Sequence, residues 1–186
     1  KNVDRANKAL RSYFALAAWP QALKRGLVRN FTFGEKDDEE IVKLPDILAE
    51  DEDRKRLQLS LSSIEEVDDI EMGSIAKGLP NAVKDLQLSF ENCCNITDVG
   101  VSTLAERLHQ LPLQKLRLDF VSCGRLTDRA VHALGMNLPK TLTDVRLDFA
   151  FCSHITKAGV SHLAADLPKS VKHFIGTFRG TICDEE

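Results

Sequence analysis

Cysteine and histidine are the residues of this chain whose chemistry could support catalysis or metal binding. The five cysteines show no Cys-x-x-Cys spacing, and the five histidines do not follow a zinc-ligand pattern. Cys152 and His154 are two residues apart, but a Cys–His nucleophile needs the two side chains within hydrogen-bond distance and a lowered thiol pKa. No glycine-rich phosphate loop follows any predicted strand. We therefore expect no catalytic residue, no metal site, no cofactor and no small-molecule substrate, and so a protein that is not an enzyme.

The spacing of three cysteines indicates a structural role instead. Cys93, Cys123 and Cys152 lie 30 and 29 residues apart, and we expect them to stack in a column about one strand spacing (~4.8 Å) apart, as small buried apolar residues with a weak S–H donor. On this interpretation Cys152→Ser mainly destabilises the fold. Cys94 and Cys183 lie outside the column and are expected to be free surface thiols. Free thiols favour a reducing, intracellular compartment, cytoplasmic or organellar.

Each of these cysteines belongs to a longer repeated segment. The segments begin at residues 57, 86, 116, 145 and 174, with spacings of 29, 30, 29 and 29 residues. A fixed period in this range is typical of solenoid proteins. Within the second repeat, Leu86, Leu88 and Phe90 alternate with polar residues, which predicts a strand. Val101 and Leu104 then begin a spacing of three and four residues, which predicts one face of a helix.

The residues between strand and helix are expected to begin the helix. Thr97 and Asp98 lie where a side-chain oxygen caps a helix and where a carboxylate stabilises the positive end of its dipole. Leu-Pro pairs, as at Pro139 and Pro168, then end the helices and return the chain to an extended path. One strand and one helix cannot bury both apolar faces alone, so consecutive repeats must stack.

The repeated segment resembles the cysteine-containing leucine-rich repeat. Its pattern of Leu, Cys, Ile-Thr-Asp and Gly is matched over residues 88–101, over 118–131 with Ala130 in the glycine position, and over 147–160 with Lys157 in the aspartate position. The first copy departs further, with Ile64 in the cysteine position and two aspartates, Asp68 and Asp69, for Thr-Asp. The resemblance covers about residues 55–180.

This resemblance implies an α/β fold, a leucine-rich-repeat solenoid. Such a solenoid is a right-handed β-α superhelix, here with about five parallel strands on the concave face and helices on the convex face. Proteins of this kind are known chiefly as protein-binding surfaces, often as F-box adaptors that recruit substrates to ubiquitin ligases. The segment from Leu44 to Leu48 is faintly similar to the start of an F-box, but about eight residues before the first strand leave no space for that domain.

The polar residues of the strands are the candidate partner-binding residues. On the expected concave face, one column contains Gln87, Arg117 and Arg146, and the next contains Asp119 and Asp148. We expect the arginines and aspartates to form a lattice of surface ion pairs, each worth about 0–1 kcal/mol. Two interpretations stay open: a solvated sheet face, or a recognition patch, since Arg is enriched at binding hot spots. The lattice is expected to lack exposed aromatic anchors, because the strand-end phenylalanines should point inward: Phe90, Phe120, Phe149 and Phe178.

Residues 1–33 are predicted to form a basic, amphipathic helical arm. Seven basic residues oppose a single acidic one, and an apolar stripe that includes Tyr13 and Phe14 precedes a break at Trp19-Pro20. The arm could cap the first repeat, dock on a partner with Tyr13, Phe14 and Trp19, or lie on a membrane surface. Its arginine-rich start is also similar to an organelle transit peptide.

Residues 34–54 reverse the charge, with ten acidic residues against two lysines up to Asp53. We interpret this segment as an acidic linker with a short helix, solvated for the most part, or alternatively as a docking site for a basic partner. Residues 55–186 are assigned to the leucine-rich-repeat domain. The chain ends soon after the fifth strand, so further protein or a partner is expected to cover that strand.

Composition narrows the function further. A net charge of −3 argues against general nucleic-acid binding, and the apolar runs are far shorter than the ~20 residues of a transmembrane helix. Our leading hypothesis is a non-catalytic protein-interaction module, a scaffold or adaptor that binds a partner through the concave face or exposed edges. The alternative is a permanent accessory subunit of a large multiprotein complex, for which an organellar membrane is one setting, tethered by residues 1–33.

Overall fold

The fold consists of strand–helix units that follow one another along the chain. A computed structural model describes residues 44–46, 48–49 and 53–181. The strands are β1 (Arg56–Ser60), β2 (Asp85–Ser89), β3 (Lys115–Asp119), β4 (Asp144–Asp148) and β5 (His173–Thr177). The helices between them are α1 (Asp69–Gly78), α2 (Asp98–His109), α3 (Asp128–Asn137) and α4 (Lys157–Asp166). No helix in this described part is long and apolar enough to cross a membrane.

The five strands form a single parallel sheet in chain order. Their register pairs equivalent residues of every repeat, so that Leu57, Leu86, Leu116, Val145 and Phe174 make one continuous column. Each connection between parallel strands carries a helix, and such crossovers are right-handed in nearly all proteins. The predicted α/β leucine-rich-repeat solenoid with five parallel strands is therefore the observed architecture.

The core is built from columns of identical residues. The rings of Phe90, Phe120, Phe149 and Phe178 stack with centroid separations of 5.5, 5.3 and 5.8 Å. The first three rings are fully buried, whereas Phe178 is partly buried. Near-parallel stacked rings add about 0.5–1.5 kcal/mol per pair beyond their buried area. The inward direction predicted for these phenylalanines is confirmed.

Consecutive helices are joined by hydrogen bonds between an aspartate and a threonine. Thr127 caps α3, and its own backbone N–H and hydroxyl donate to the two carboxylate oxygens of Asp98 on α2, at 2.8 and 2.7 Å. The same arrangement joins Thr97 to Asp69 and Thr156 to Asp128. The predicted cap at Thr97 is confirmed, but the aspartate does more than favour its own helix dipole, because it fixes the next repeat.

A glycine near the start of α2, two residues after Asp98, lets the carboxylate of Asp69 on the preceding helix approach the backbone. A Cβ atom at Gly100 would lie 2.4 Å from Oδ1 of Asp69, and the Gly100 N–H donates to that same oxygen at 3.0 Å. At the equivalent position the N–H of Ala130 donates to the carbonyl of Thr127 instead. The departure from the repeat pattern at Ala130 thus replaces an inter-repeat hydrogen bond with a local one.

The segment before β1 contributes to the core. Residues 44–46 and 48–49 are helical, and the side chains of Leu44 and Leu48 are fully buried. A Cβ atom at Gly78 would lie 2.4 Å from the carbonyl oxygen of Pro45, so this segment packs tightly against the end of α1. The prediction that this segment is a solvated linker is therefore wrong at Leu44 and Leu48. The boundaries at 33/34 and 54/55 stay predictions, and the arm at residues 1–33 lies outside the described residues.

The aspartate–threonine contact can be tested by Asp98→Asn. An amide keeps the shape of the carboxylate but replaces one of the two acceptors of Thr127 with a donor, so we expect a loss of about 1–3 kcal/mol in the free energy of unfolding. Urea denaturation followed by circular dichroism measures it. Glu106→Gln, which makes the same chemical change at an exposed position of the same helix, should shift stability by less than about 0.5 kcal/mol. Equal stabilities of the two variants would contradict the role of Asp98.

Candidate protein-binding surface

The polar faces of the five strands form three columns on the concave side of the sheet. The first column is Arg56, Asp85, Lys115, Asp144 and His173; the second is Gln58, Gln87, Arg117, Arg146 and Ile175; the third is Ser60, Ser89, Asp119, Asp148 and Thr177. The candidate residues Gln87, Arg117, Asp119, Arg146 and Asp148 thus lie on one face, and adjacent members of a column are one strand spacing (~4.8 Å) apart.

The expected lattice between arginines and aspartates is wrong. Among the described residues, no carboxylate oxygen lies within 4.0 Å of the guanidinium of Arg117 or Arg146. Asp119 instead accepts the backbone N–H of Val121 at 3.1 Å, and Asp148 accepts that of Ala150 at 3.0 Å. Each aspartate ends its strand and accepts a hydrogen bond from the backbone N–H two residues further on. Both guanidinium groups are exposed and adjacent in the sheet, and neither has an anionic partner among the described residues.

The first column alternates in charge. Nε of Arg56 lies 2.9 Å from Oδ2 of Asp85, in a largely exposed ion pair. Further along, the hydroxyl of Thr143 donates to Asp144 at 2.6 Å, and this bond, followed by the nearby charges of His173, Lys115 and Lys172, holds the pKa of Asp144 below its ordinary value. Asp144 therefore stays ionised to lower pH than an isolated aspartate, and the column keeps its alternation.

An exposed isoleucine lies next to the arginines and an exposed phenylalanine lies just beyond β4, although we expected the lattice to lack exposed aromatic anchors. Ile175 directly follows Arg146 in the second column and is 51% exposed, and Phe151, just beyond β4, is 54% exposed. Sequence reasoning missed Phe151 because it lies outside the strand pattern. A signal exists in the sequence: Phe151 occupies the position held by Asn92 and Ser122 in earlier repeats, where a polar residue is usual.

Phe151 also adopts an uncommon backbone conformation. Ser63, Asn92, Ser122 and Phe151 all have φ of 60° or 61°, in the left-handed region. Polar residues with short side chains tolerate this region, whereas a bulky aromatic residue there is an outlier that the surrounding structure must stabilise. The Phe151 ring lies against Gly180, where a Cβ atom would be 2.6 Å from the ring, and the N–H of Phe151 donates to the carbonyl of Arg179 at 2.7 Å.

The three column cysteines are buried and inert, as predicted. Their Sγ atoms donate to backbone carbonyls of the preceding repeat: Cys93 to Leu61, Cys123 to Phe90 and Cys152 to Phe120, at 3.0, 3.1 and 3.1 Å. Burial raises the pKa of Cys93 and Cys152 to about 11 and that of Cys123 still further. These thiols are therefore protonated at neutral pH, and their burial keeps them from solvent.

The histidines of the described segments do not form a site with the column cysteines. His154 is exposed while Cys152 is buried, so the two do not face each other. On the convex side, the rings of His132 and His162 lie 6.0 Å apart, and Nδ1 of His132 lies 3.6 Å from Oδ2 of Asp166. In the described ranges no group of three potential ligands is arranged to hold a metal ion. Cys94 is exposed as predicted, whereas Cys183, Tyr13, Phe14 and Trp19 lie outside the described residues.

Comparison with solved structures identifies the type of fold. The structure is similar to the tropomodulin C-terminal domain of Caenorhabditis elegans, with a TM-score of 0.57 and 14% sequence identity over 75% of this chain and 83% of that one. It is also similar to actin-binding site 2 of leiomodin-1, with a TM-score of 0.54 and 15% identity over 78% and 82% of the two chains. At these identities the likeness concerns the fold alone, which is a leucine-rich-repeat-type solenoid. No protein-family model and no curated protein sequence matches the chain.

The contrast between buried and exposed thiols can be measured with a thiol reagent. At pH 8 the exposed Cys94 should react within minutes, because its thiol is accessible to the reagent. In the variant Cys94→Ser, Cys183→Ser, the thiols of Cys93, Cys123 and Cys152 should react only after unfolding in guanidinium chloride. Fast reaction of any of the three in the folded variant would contradict their place in the core.

Proposed function

We propose that this protein is a non-catalytic protein-interaction module of the cysteine-containing leucine-rich-repeat class, which binds a protein partner through its concave face. The observation that supports it best is the pair Arg117 and Arg146. They are neighbours in the sheet, both are exposed, and neither has an anionic partner among the described residues. A planar guanidinium can bind a carboxylate through two parallel hydrogen bonds, and arginine is enriched at binding hot spots.

The surroundings of the two arginines fit a protein ligand. Ile175 continues their column with an exposed apolar side chain, and the aspartates of the next column already accept backbone N–H groups. A partner that places a carboxylate over the arginines and an apolar side chain over Ile175 would match both features. The leiomodin-1 domain to which the fold is similar is described as an actin-binding site. That description supports protein binding as the function, and we transfer nothing about the partner's identity.

The second candidate function is a permanent accessory subunit of a larger assembly. The observation that favours it is the exposure of Phe174 and Ile175 on β5, because large apolar side chains left in water typically mark a contact with another protein. In this reading residues 1–33, with Tyr13, Phe14 and Trp19, form the tether. We propose a reducing intracellular compartment, cytoplasmic or organellar, and the free thiols of the described cysteines support this proposal.

Reversing the charge of the arginine pair tests the concave face. The chain is captured from a cell extract by affinity, and its partners are identified by mass spectrometry. In Arg117→Glu, Arg146→Glu the amount of the specific partner that is captured should fall at least tenfold, because hot-spot truncations cost about 2 kcal/mol or more. Arg125→Glu, Arg129→Glu is the matched control, with the same charge change at exposed positions outside the sheet.

Two outcomes separate the candidate functions. Partners that persist in the chain lacking residues 1–33 but vanish with the arginine variant support the concave-face module. A fixed set of partners in constant ratio, lost with residues 1–33 and unaffected by the arginine variant, supports the accessory subunit and contradicts the concave-face proposal.

A further inference from the structure

The edge of the sheet at β5, with which no described strand pairs, is a second surface, distinct from the arginine pair; we call it the free edge. In the preceding repeats, the N–H of each strand-end phenylalanine donates to the next strand: Phe90 to the carbonyl of Asp119, Phe120 to that of Asp148 and Phe149 to that of Thr177, each at 2.8 Å. Phe178 occupies the same position after β5. No described strand follows β5, so the N–H of Phe178 has no acceptor there.

In a parallel sheet the backbone groups of successive residues point alternately to the two neighbouring strands, so unpaired groups are expected along the whole of β5. The N–H of His173 donates to the carbonyl of Thr143, and the carbonyl of Thr177 accepts from Phe149, so the odd-numbered residues of β5 face β4. The backbone groups of Phe174 and Gly176 consequently point away from β4. Together with the Phe178 N–H they present the pattern of donors and acceptors to which another strand can pair.

The apolar face beside this edge is also open. Phe174 is 37% exposed, whereas Val145, its equivalent in β4, is 1% exposed. At Gly176, where the earlier strands carry leucine, a Cβ atom would lie 2.7 Å from the Phe178 ring and 3.1 Å from the Phe174 ring. Both rings therefore lie close to the glycine, and together they form an aromatic platform next to the unpaired backbone.

The segment that contains this edge carries no acidic residue of its own. From Leu167 to Thr181 the chain contains Lys169, Lys172 and Arg179 and no acidic residue. All three basic side chains are exposed. Lys172 and Arg179 flank β5 and are seven residues apart, which is about 23 Å of extended chain.

We propose that the free edge of β5 binds an extended strand from a protein partner, with apolar side chains on the aromatic platform and acidic residues beside Lys172 and Arg179. This deepens the proposed function, since it assumes a protein-binding module, but it assigns a different surface and a specific class of segment. A second copy of the chain fits poorly. Pairing of two β5 edges in register would bring Lys172 of one copy next to Arg179 or Lys172 of the other, so like charges would meet.

The test uses synthetic peptides and the full chain. The probe is a fluorescent nine-residue peptide with a core of alternating valine and threonine between glutamate pairs. One control peptide carries lysine for every glutamate, and a second carries proline for the core threonines, which prevents strand pairing. Fluorescence anisotropy at low salt should show that the glutamate peptide binds at least tenfold more tightly than either control.

Variants of the chain locate the binding. Lys172→Glu, Arg179→Glu should weaken the glutamate peptide at least tenfold and strengthen the lysine peptide, a reversal that a misfolded variant would not produce. Lys140→Glu, at the position of Lys169 in the preceding repeat, should change neither affinity. Arg117→Glu, Arg146→Glu should leave peptide binding intact, so failure of the concave-face proposal and failure of this one are separable.

Several results would overturn the proposal. They are equal binding of the glutamate and lysine peptides, binding of the proline peptide as tight as that of the probe, no binding of any peptide, or insensitivity to the change at Lys172 and Arg179. Sedimentation that shows a dimer of the free chain, dissociated by the same variant, would assign the edge to a second copy and would equally overturn it.

Discussion

The in-register parallel pairing of the strands is the constraint on which the rest of this structure depends. Because equivalent residues of successive repeats are partners in the sheet, any chemical feature of one repeat meets its own copy about 4.8 Å away. Aromatic rings can therefore stack, thiols can donate to the carbonyl one repeat earlier, and a carboxylate can accept from the threonine of the next repeat. A residue type that suits this geometry forms the same stabilising contact at every junction where it recurs. A residue that does not, such as Ala130, changes one junction and leaves the others intact.

Much of this fold could be predicted from the sequence because its period is regular. The repeat starts at 57, 86, 116, 145 and 174 each fall on the second residue of an observed strand. Threonine at the beginning of the helices was recognisable as a cap because capping depends on local backbone geometry. The cysteine column followed from spacing alone, since a residue at a fixed repeat position has a fixed depth.

The candidate site was harder to predict because each of its side chains has several possible hydrogen-bond partners within reach. Asp119 could pair with Arg117 on sequence grounds, yet its carboxylate accepts the backbone N–H of Val121 instead. The second role of Asp98 depends on how far apart two helices lie, which the pattern of one repeat does not contain. Leu44 and Leu48 were masked by the acidic residues around them, although two leucines four residues apart are enough to cover a core edge.

The aspartate–threonine contacts also bear on how the solenoid responds to force. They hold α1 to α2, α2 to α3, and α3 to α4. On α4 the aspartate position is occupied by Lys157, whose ammonium group can only donate hydrogen bonds. Tension applied along the chain would be opposed at each of these three junctions, so that the described repeats would extend together as a stiff spring.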